Sequence, residues 1–362
     1  MQGHATWDLF CRVVDNYGDI GVCWRLAEGL AAMRQQVRLW TDDASALRWM
    51  APQGAAGVQV GHWSAAEAAA PGDVVVEAFA CDPPPAFVAA MAARREAPVW
   101  INLEYLSAEP WVERCHGLPS PQAAGPGRGM TKWFFHPGFT PGTGGLLREA
   151  GLLQERDAFD RAAWLAGQGL PGPNADEQVV SLFCYPTAPW RELPAALNRP
   201  SLLLLAQGAA QALADLPLPP GIRTATLPWM TQHDFDRLLW ASDLNLVRGE
   251  DSLARALWAG KPTLWQLYPQ DDGAHIAKLE AFLSTWARLS GATEELAARQ
   301  SALLRWWNGA PGAPQRCPGW PDGTAWMAAS TRLAVTLAQQ PDLVSALLDF
   351  ARRKGAPEGG NG

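Results

Sequence analysis

The sequence predicts an α/β protein built from two Rossmann-like domains, and three observations lead to that fold class. The chain has 362 residues, which corresponds to two domains at roughly 100–200 residues per domain. Its composition is 48% hydrophobic and 18% charged, so it can bury a large core. Strand-like and helix-like segments alternate in both halves of the chain, which favours parallel strands joined by right-handed crossovers.

The first half begins with a strand predicted over residues 7–14, an apolar run rich in β-forming residues that stops at the sequence DNYGDIG. An amphipathic helix should follow, because Val22, Leu26, Leu30 and Met33 recur at helical spacing. Further strands are predicted over residues 36–40, 73–80 and 98–103.

A segment rich in Gly, Pro, Asn and Asp at residues 166–178 is the predicted linker, and the alternation resumes after it. We predict strands over residues 179–185, 201–206, 244–247 and 262–267, helices over 233–241, 251–259 and 274–287, and two closing helices over 330–338 and 342–352. The domains are therefore expected at residues 1–165 and 179–329, and residues 354–362 are expected to be a disordered tail. Two α/β halves joined in this way place a ligand cleft between them.

Composition argues against several classes of protein. The net charge of −7 argues against nucleic acid as the main partner. No run of 18 apolar residues and no signal-peptide pattern is present, so neither a membrane span nor secretion is expected. The six cysteines show no CxxC spacing and the six histidines no ligand spacing. We therefore expect no metal site, and free thiols in a cytoplasmic protein.

The first candidate site is the turn DNYGDIG, between the first strand and the first helix, where open α/β sheets bind ligands. It lacks the GxGxxG pattern of a dinucleotide loop and carries Asp15 and Asp19 instead, which suits a cation or a proton. Asp is also common in turns and at helix starts for local reasons. The spacing alone favours that local interpretation.

The second candidate site is RGEDS, again between a strand and a helix. Backbone amides at a helix start, with the Ser252 hydroxyl beside them, can bind an anion, and Arg248 can add charge. Glu250 can accept hydrogen bonds from the two hydroxyls of a ribose. Alternatively Asp251 or Ser252 simply caps the helix. The sequence leaves the two alternatives even.

A third group of candidates is aromatic, with one amide among them. Aromatic faces and an amide would suit a stacked pyrimidine ring, although core packing is the commoner role for any single aromatic residue. The members are Phe183, Tyr185, Trp229, Gln232 and Phe235. Glu104, in the segment NLEY, is expected to face the same cleft or the surface.

Five segments together resemble one known family, the bacterial protein-arginine rhamnosyltransferases (EarP), which modify translation elongation factor P. They are WDLFCRVVDNYGDIGVCWRLA, NLEYLSAEPWVERCHGLPSP, KWFFHPGFTPGTGGLLRE, SLFCY and NLVRGEDSLARALWAGKP. The resemblance implies a GT-B glycosyltransferase fold, with two facing Rossmann-like domains around a central cleft. It also implies that the C-terminal helices, residues 330–353, pack back on the first domain.

The resemblance implies the reaction as well: L-rhamnose passes from dTDP-β-L-rhamnose to an arginine of elongation factor P, with inversion and without metal or other cofactor. It places Asp15, Asp19 and Glu250 in the catalytic set. The donor-binding set that we carry over is Asn16, Tyr17, Gly18, Phe183, Tyr185, Trp229, Gln232, Phe235, Arg248, Asp251 and Ser252. The two carboxylates of the turn would repel a phosphate, but they would attract a positively charged guanidinium.

Three alternatives remain beside this interpretation. A GT-B transferase or epimerase that uses another nucleotide sugar would prefer uridine to thymidine nucleotides. A non-catalytic protein-binding module on the same scaffold would not need Asp15, Asp19 and Glu250 together. An NAD-type dehydrogenase would need the glycine fingerprint that this chain lacks.

Overall fold

The structure is a computed structural model that describes residues 5–14, 17–270 and 272–356. Asp15 and Asn16, and the end of the predicted tail at residues 357–362, lie outside the described residues. The chain forms two compact units, Met1–Glu149 with Gln340–Gly362, and Ala150–Gln339. We call them unit 1 and unit 2.

Unit 1 begins with the predicted strand–helix–strand succession. Its elements before residue 150 are β1 (Thr6–Cys11), α1 (Gly18–Ala32), β2 (Gln36–Thr41), α2 (Leu47–Met50), β3 (Val58–His62), a 3-10 helix (Trp63–Ala68), β4 (Val74–Ala78), α3 (Pro85–Ala93), β5 (Val99–Leu103), α4 (Trp111–Cys115), β6 (Pro119–Pro121) and β7 (Thr131–Phe135). The strands form one sheet in the order β3-β2-β1-β4-β5-β7-β6. All neighbours pair in parallel except β6 and β7.

Unit 2 repeats the same plan with more helix. Its elements are α5 (Leu152–Asp157), α6 (Arg161–Gly167), β8 (Gln178–Leu182), α7 (Leu193–Ala196), β9 (Ser201–Leu205), a 3-10 helix (Ala209–Asp215), β10 (Ile222–Thr226), α8 (Gln232–Ala241), β11 (Leu244–Arg248), α9 (Gly249–Ala259), β12 (Thr263–Gln266), α10 (Ala274–Ser290), α11 (Glu294–Trp307) and α12 (Gly323–Ala338). The sheet order is β10-β9-β8-β11-β12, and every pairing is parallel.

The two sheets share one topological feature that positions the candidate sites. In each sheet, the strands that follow the first strand are added on one side of it, and the later strands are added on its other side. As a result β1 lies beside β4, and β8 lies beside β11. Loops at the carboxyl ends of such neighbouring strands diverge and leave a crevice, which is where open α/β sheets bind ligands. The turn after β1, the segment after β8 and the segment after β11 all lie at these points.

The last helix, α13 (Leu343–Arg353), belongs to unit 1, although all of unit 2 separates it in sequence from the rest of unit 1. Its residues Leu347, Leu348 and Phe350 are buried in the same apolar cluster as Ile20 and Leu30 of α1. Burial of a Leu or Phe side chain stabilises a fold by about 1.5–3 kcal/mol. This apolar face holds the C-terminal segment on unit 1.

The predicted return of both C-terminal helices, residues 330–353, is wrong for α12. That helix packs in unit 2, where Thr331 Oγ1 donates to the Gly260 carbonyl over 3.3 Å and Arg332 Nε donates to the Ser290 carbonyl over 2.8 Å. Apolar periodicity identified α12 as a helix but could not tell which core covers it.

The predicted domain boundary at residues 165–179 also differs from the observed one. Residues 150–165 belong to unit 2, because Leu165 and Leu170 are buried among the residues of β8 and β9. Arg161 adds a two-pronged ion pair with Asp243, over 2.9 and 3.0 Å. The Gly- and Pro-rich segment at 166–178 is therefore a loop inside unit 2. Composition marks a loop, but it does not show whether the loop separates two cores.

Several boundaries shift within the predicted elements. The first strand ends at Cys11 and the strand predicted over 179–185 ends at Leu182, so Phe183 and Tyr185 lie in the loop that follows it. The predicted disorder is wrong at the first residues of the tail, because Lys354 Nζ lies 3.4 Å from the Trp133 ring centroid.

In the described part of the chain, no helix has the length and apolar character that crossing a membrane requires.

Candidate functional site

Asp19 lies at the start of α1, directly beyond the carboxyl end of β1. Asp19 is only 2% exposed. The Val14 N–H donates to Oδ2 over 2.8 Å, and the Tyr105 hydroxyl donates to Oδ1 over 3.1 Å. A carboxylate in the first turn is also stabilised by the helix dipole. Because the N-cap position belongs to Tyr17, Asp19 is not the capping residue that the local interpretation assumed.

The residues next to Asp19 have different surroundings. Tyr17 packs its ring edge-on against Trp49, with 5.2 Å between the centroids, and Gly18 is the first residue of α1. Asp15 and Asn16 lie outside the described residues. The structure thus describes one of the two predicted aspartates, and it shows that side chain buried with its carboxylate held by donors.

Glu104 follows β5 at the same edge of the sheet. The Asn102 amide donates to its Oε1 over 2.7 Å. Burial raises the pKa of Glu104, and the opposing effects of Asn102 and of the Lys132 ammonium are smaller. Lys132 itself pairs with the buried Glu77 over 2.6 Å. A partly buried carboxyl with a raised pKa is a candidate proton acceptor, so Glu104 remains an alternative to Asp19.

The aromatic candidates of unit 2 come together where β8 and β11 end. The Phe183 and Phe235 rings lie 5.9 Å apart at 71°. The Arg248 guanidinium lies 4.3 Å from the Phe183 ring centroid and 4.5 Å from that of Tyr185. Cations are attracted to aromatic faces at such distances. The end of β11 and the loop after β8 therefore form one group with aromatic faces and a fixed positive charge.

Gln266, at the end of β12, holds that loop in place. Its Oε1 accepts a hydrogen bond from the Tyr185 N–H over 2.7 Å, and its amide donates to Thr187 Oγ1 over 3.0 Å. Gln266 is 2% exposed, so its hydrogen bonds are shielded from water. Sequence analysis missed this residue, although a polar residue at the end of a buried strand is the signal that marks it.

The segment RGEDS forms the junction of β11 and α9. Helix α9 begins at Gly249, two residues earlier than predicted, and Arg248 is its N-cap residue. Gly249 has φ +70°, a left-handed conformation that glycine adopts without strain. Asp251 and the buried Ser252 therefore lie inside the first turn and not at the cap, contrary to the capping alternative.

Glu250, in the first turn of α9, forms an ion pair with Lys278 of α10. Their side chains are 20% and 17% exposed. The pair holds the Lys278 ammonium beside the start of α9, where the Glu250 carboxylate neutralises its charge. Lys278 carried no recognisable sequence signal, because it occupies an ordinary polar position on a helix.

The remaining donor candidates lie around α8. Gln232 is its first residue and is buried, whereas Trp229 precedes the helix and is 48% exposed. Helix α8 is fixed to α9 by a buried pair: Arg255 Nε and Nη2 donate to the two carboxylate oxygens of Asp236, each over 2.7 Å. This pair sets the position of the α8 residues relative to the start of α9.

Metal-binding potential is low in the described ranges 5–14, 17–270 and 272–356. They contain no group of three or more His, Cys, Asp or Glu side chains that could hold a metal ion. All six cysteines lie in these ranges and are free thiols. Burial raises the pKa of Cys81 and of Cys184, the latter to about 12, so these thiols stay protonated at neutral pH.

Comparison with known proteins agrees with the sequence resemblance. The family of elongation factor P rhamnosyltransferases, EarP, matches residues 7–352. A protein-arginine rhamnosyltransferase of Pseudomonas putida is 46% identical, with 96% of this chain and 99% of the relative covered. That of Pseudomonas aeruginosa is 42% identical, with 96% and 98% covered.

Similarity to solved structures identifies the fold. A structure described as the basis for EarP-mediated arginine glycosylation of elongation factor EF-P matches with a TM-score of 0.61 and 33% identity, covering 96% of this chain and 99% of that one. The calicheamicin glycosyltransferase CalG4 matches with a TM-score of 0.53 at 15% identity, over 98% of this chain and 100% of the other, which shows the fold alone. The predicted GT-B fold is thereby confirmed. The chain is a glycosyltransferase and belongs to the EarP family of elongation factor P rhamnosyltransferases.

Proposed function

We propose that the protein transfers L-rhamnose from dTDP-β-L-rhamnose to an arginine side chain of translation elongation factor P, with inversion at the anomeric carbon. The observation that carries the proposal is the family match over residues 7–352. Two relatives above 40% identity over nearly their whole length are protein-arginine rhamnosyltransferases. We also propose a cytoplasmic location, which the six free thiols support.

The acceptor side of the reaction would lie in unit 1, at Asp15 and Asp19. A guanidinium is protonated in water and its lone pairs are delocalised, so it is a poor nucleophile. It needs a carboxylate that orients it and one that takes a proton as the new bond forms. We assign proton acceptance to Asp19 and orientation of the guanidinium to Asp15. The support for Asp19 is its fixed carboxylate at the carboxyl end of the central strand.

The donor side would lie in unit 2. Phe183 and Phe235 offer faces for the thymine ring, and Tyr185 lines the same loop. The amides at the start of α9, with Ser252 and Arg248, are suited to the diphosphate, while Glu250 is suited to the ribose hydroxyls. Gln232, Trp229 and Asp251 complete this set, and the resemblance adds Asn16, Tyr17 and Gly18.

The proposed step balances in bonds and charge. An arginine nitrogen attacks the anomeric carbon from the face opposite the diphosphate, the N–C bond forms, and the C–O bond to dTDP breaks with its electron pair going to dTDP. The proton leaves the nitrogen for the Asp19 carboxylate. Helix amides and Arg248 stabilise the charge on the leaving dTDP, so the mechanism does not call for a metal ion.

The test is a transfer assay read by mass spectrometry. Purified protein is incubated with elongation factor P and dTDP-β-L-rhamnose, and the acceptor should gain one deoxyhexose that fragmentation locates on an arginine. Two controls accompany it: an acceptor with that arginine changed to lysine, and a UDP-sugar in place of the dTDP donor. Modification from the UDP-sugar but not from dTDP-rhamnose would contradict the assigned donor, and no modification from either would contradict the acceptor.

A further inference from the structure

We infer that Tyr105 is a positioning residue, which holds the Asp19 carboxylate in the orientation needed for proton transfer. The inference rests on the proposed function for its catalytic meaning, but its geometric part stands on unit 1 alone. Tyr105 lies 86 residues from Asp19 in sequence, and its hydroxyl donates to Oδ1 over 3.1 Å. Neither the predicted catalytic set nor the predicted donor set contains it.

The donors Val14 and Tyr105 differ in how firmly they hold Asp19. Val14, which donates its N–H to Oδ2, lies in the loop after β1 and is 74% exposed. Tyr105 follows β5, a strand whose residues are all buried, and the Glu104 N–H between them donates to the Phe135 carbonyl over 2.9 Å. Of the two donors, Tyr105 is therefore the one that is anchored to the sheet.

The ring of Tyr105 is itself fixed by a flat contact. It stacks on Phe79, with 4.1 Å between centroids and an interplanar angle of 9°. This contact defines the plane of the tyrosine ring. Because the hydroxyl oxygen lies in that plane, the contact restricts the positions that the hydroxyl can take.

The segment that presents Phe79 is strained. Phe79 has φ +58° and Ala80 has φ +57°, a left-handed conformation that residues with a Cβ rarely adopt. The strain is held by β5: the Phe79 N–H donates to the Leu103 carbonyl over 2.7 Å, and the Ala80 N–H donates to Asn102 Oδ1 over 3.2 Å. Strained backbone that its neighbours over-determine is typical of functional sites. Here it places an aromatic face under the tyrosine that holds the proposed base.

Positioning of this kind matters for a guanidinium acceptor. Proton transfer requires the carboxylate oxygen to lie within hydrogen-bond reach of the reacting nitrogen, and small displacements lower the rate steeply. Without the Tyr105 hydroxyl, the Asp19 carboxylate would keep the Val14 N–H on Oδ2 but lose a donor to Oδ1 that is anchored to the sheet. We then expect the carboxylate to be held less firmly about its χ2 angle.

The kinetic test uses Tyr105→Phe, which removes the hydroxyl and keeps the ring on Phe79. We expect the kcat for transfer to fall about tenfold, with the donor dissociation constant unchanged. The double variant Tyr105→Phe/Asp19→Asn should be no slower than Asp19→Asn alone, because the hydroxyl acts through that carboxylate. The control is Thr336→Val, which removes a hydroxyl of α12 that donates to the Arg332 carbonyl of the same helix, and this variant should leave kcat unchanged.

A normal kcat in Tyr105→Phe, or a loss that adds in full to that of Asp19→Asn, would overturn the inference. A crystal structure of Tyr105→Phe gives a readout that does not depend on the substrates. The Asp19 carboxylate should rotate away from its wild-type position, and an unmoved carboxylate would overturn the inference. If the wild-type protein transfers no rhamnose, the proposed function has failed, and this structural readout then decides the role of Tyr105 by itself.

Discussion

Breaking the buried pair between Asp236 and Arg255 should strongly destabilise unit 2. Their side chains are 3% and 1% exposed, and both carboxylate oxygens accept hydrogen bonds from the guanidinium over 2.7 Å. Asp236→Leu would leave the buried guanidinium without its carboxylate. Loss of one partner of such a pair typically costs about 3–5 kcal/mol. For a unit of this size, we expect the melting temperature to fall by roughly 6–20 °C.

The reverse variant Arg255→Met strands the carboxylate instead and should cost a comparable amount. The double variant Asp236→Leu/Arg255→Met removes both charges and fills the space with apolar atoms, so it should be far more stable than either single variant. Because the pair ties α8 to α9, we also expect the single variants to bind dTDP more weakly than the double variant does.

The assay is differential scanning calorimetry with and without dTDP, together with a calorimetric titration of dTDP at 25 °C. Glu295→Ala is the control, since its ion pair with Arg299 is exposed and should contribute nothing measurable. Single variants that melt within about 2 °C of the wild type, or a double variant that is the least stable of the three, would refute the reasoning.

Four further outcomes are expected. Asp19→Asn should lower turnover by about 10²-fold or more with little change in dTDP affinity; near-normal turnover would move the base elsewhere, with Glu104 the next to test. Ser252→Ala and Glu250→Ala should weaken dTDP binding about ten- to a hundredfold by calorimetry, and unchanged affinity in both would defeat the donor assignment. Transfer should persist in excess EDTA, whereas a loss restored by Mg²⁺ or Mn²⁺ would contradict a metal-independent mechanism. Burial lowers the pKa of His136 to about 4, so the folded protein should lose stability as the pH falls from about 6.5 towards 4. Urea unfolding should show a free energy of unfolding about 2 kcal/mol lower at pH 5 than at pH 7. An equal loss in His136→Phe would contradict this assignment.

The sequence by itself determined the local elements and the fold class. Apolar periodicity depends only on neighbouring residues, so it located α1, β4, β5 and most of the second sheet before any contact was known. The specific segments around DNYGD and RGEDS also determined the family, which the comparison over residues 7–352 confirms. Chemistry then favoured a carboxylate for the guanidinium and helix amides for the diphosphate.

Only the tertiary structure decided which side chains serve these motifs. Tyr105 meets Asp19 across 86 residues, Lys278 meets Glu250 across 28, and Arg248 lies over the aromatic rings of a loop 64 residues earlier. The same holds for the unit boundary at Glu149, where composition had suggested a linker further along the chain. Such contacts have no period and no local propensity. They form when elements that are distant in the sequence pack on one core. The local sequence pattern does not show which distant elements will pack together.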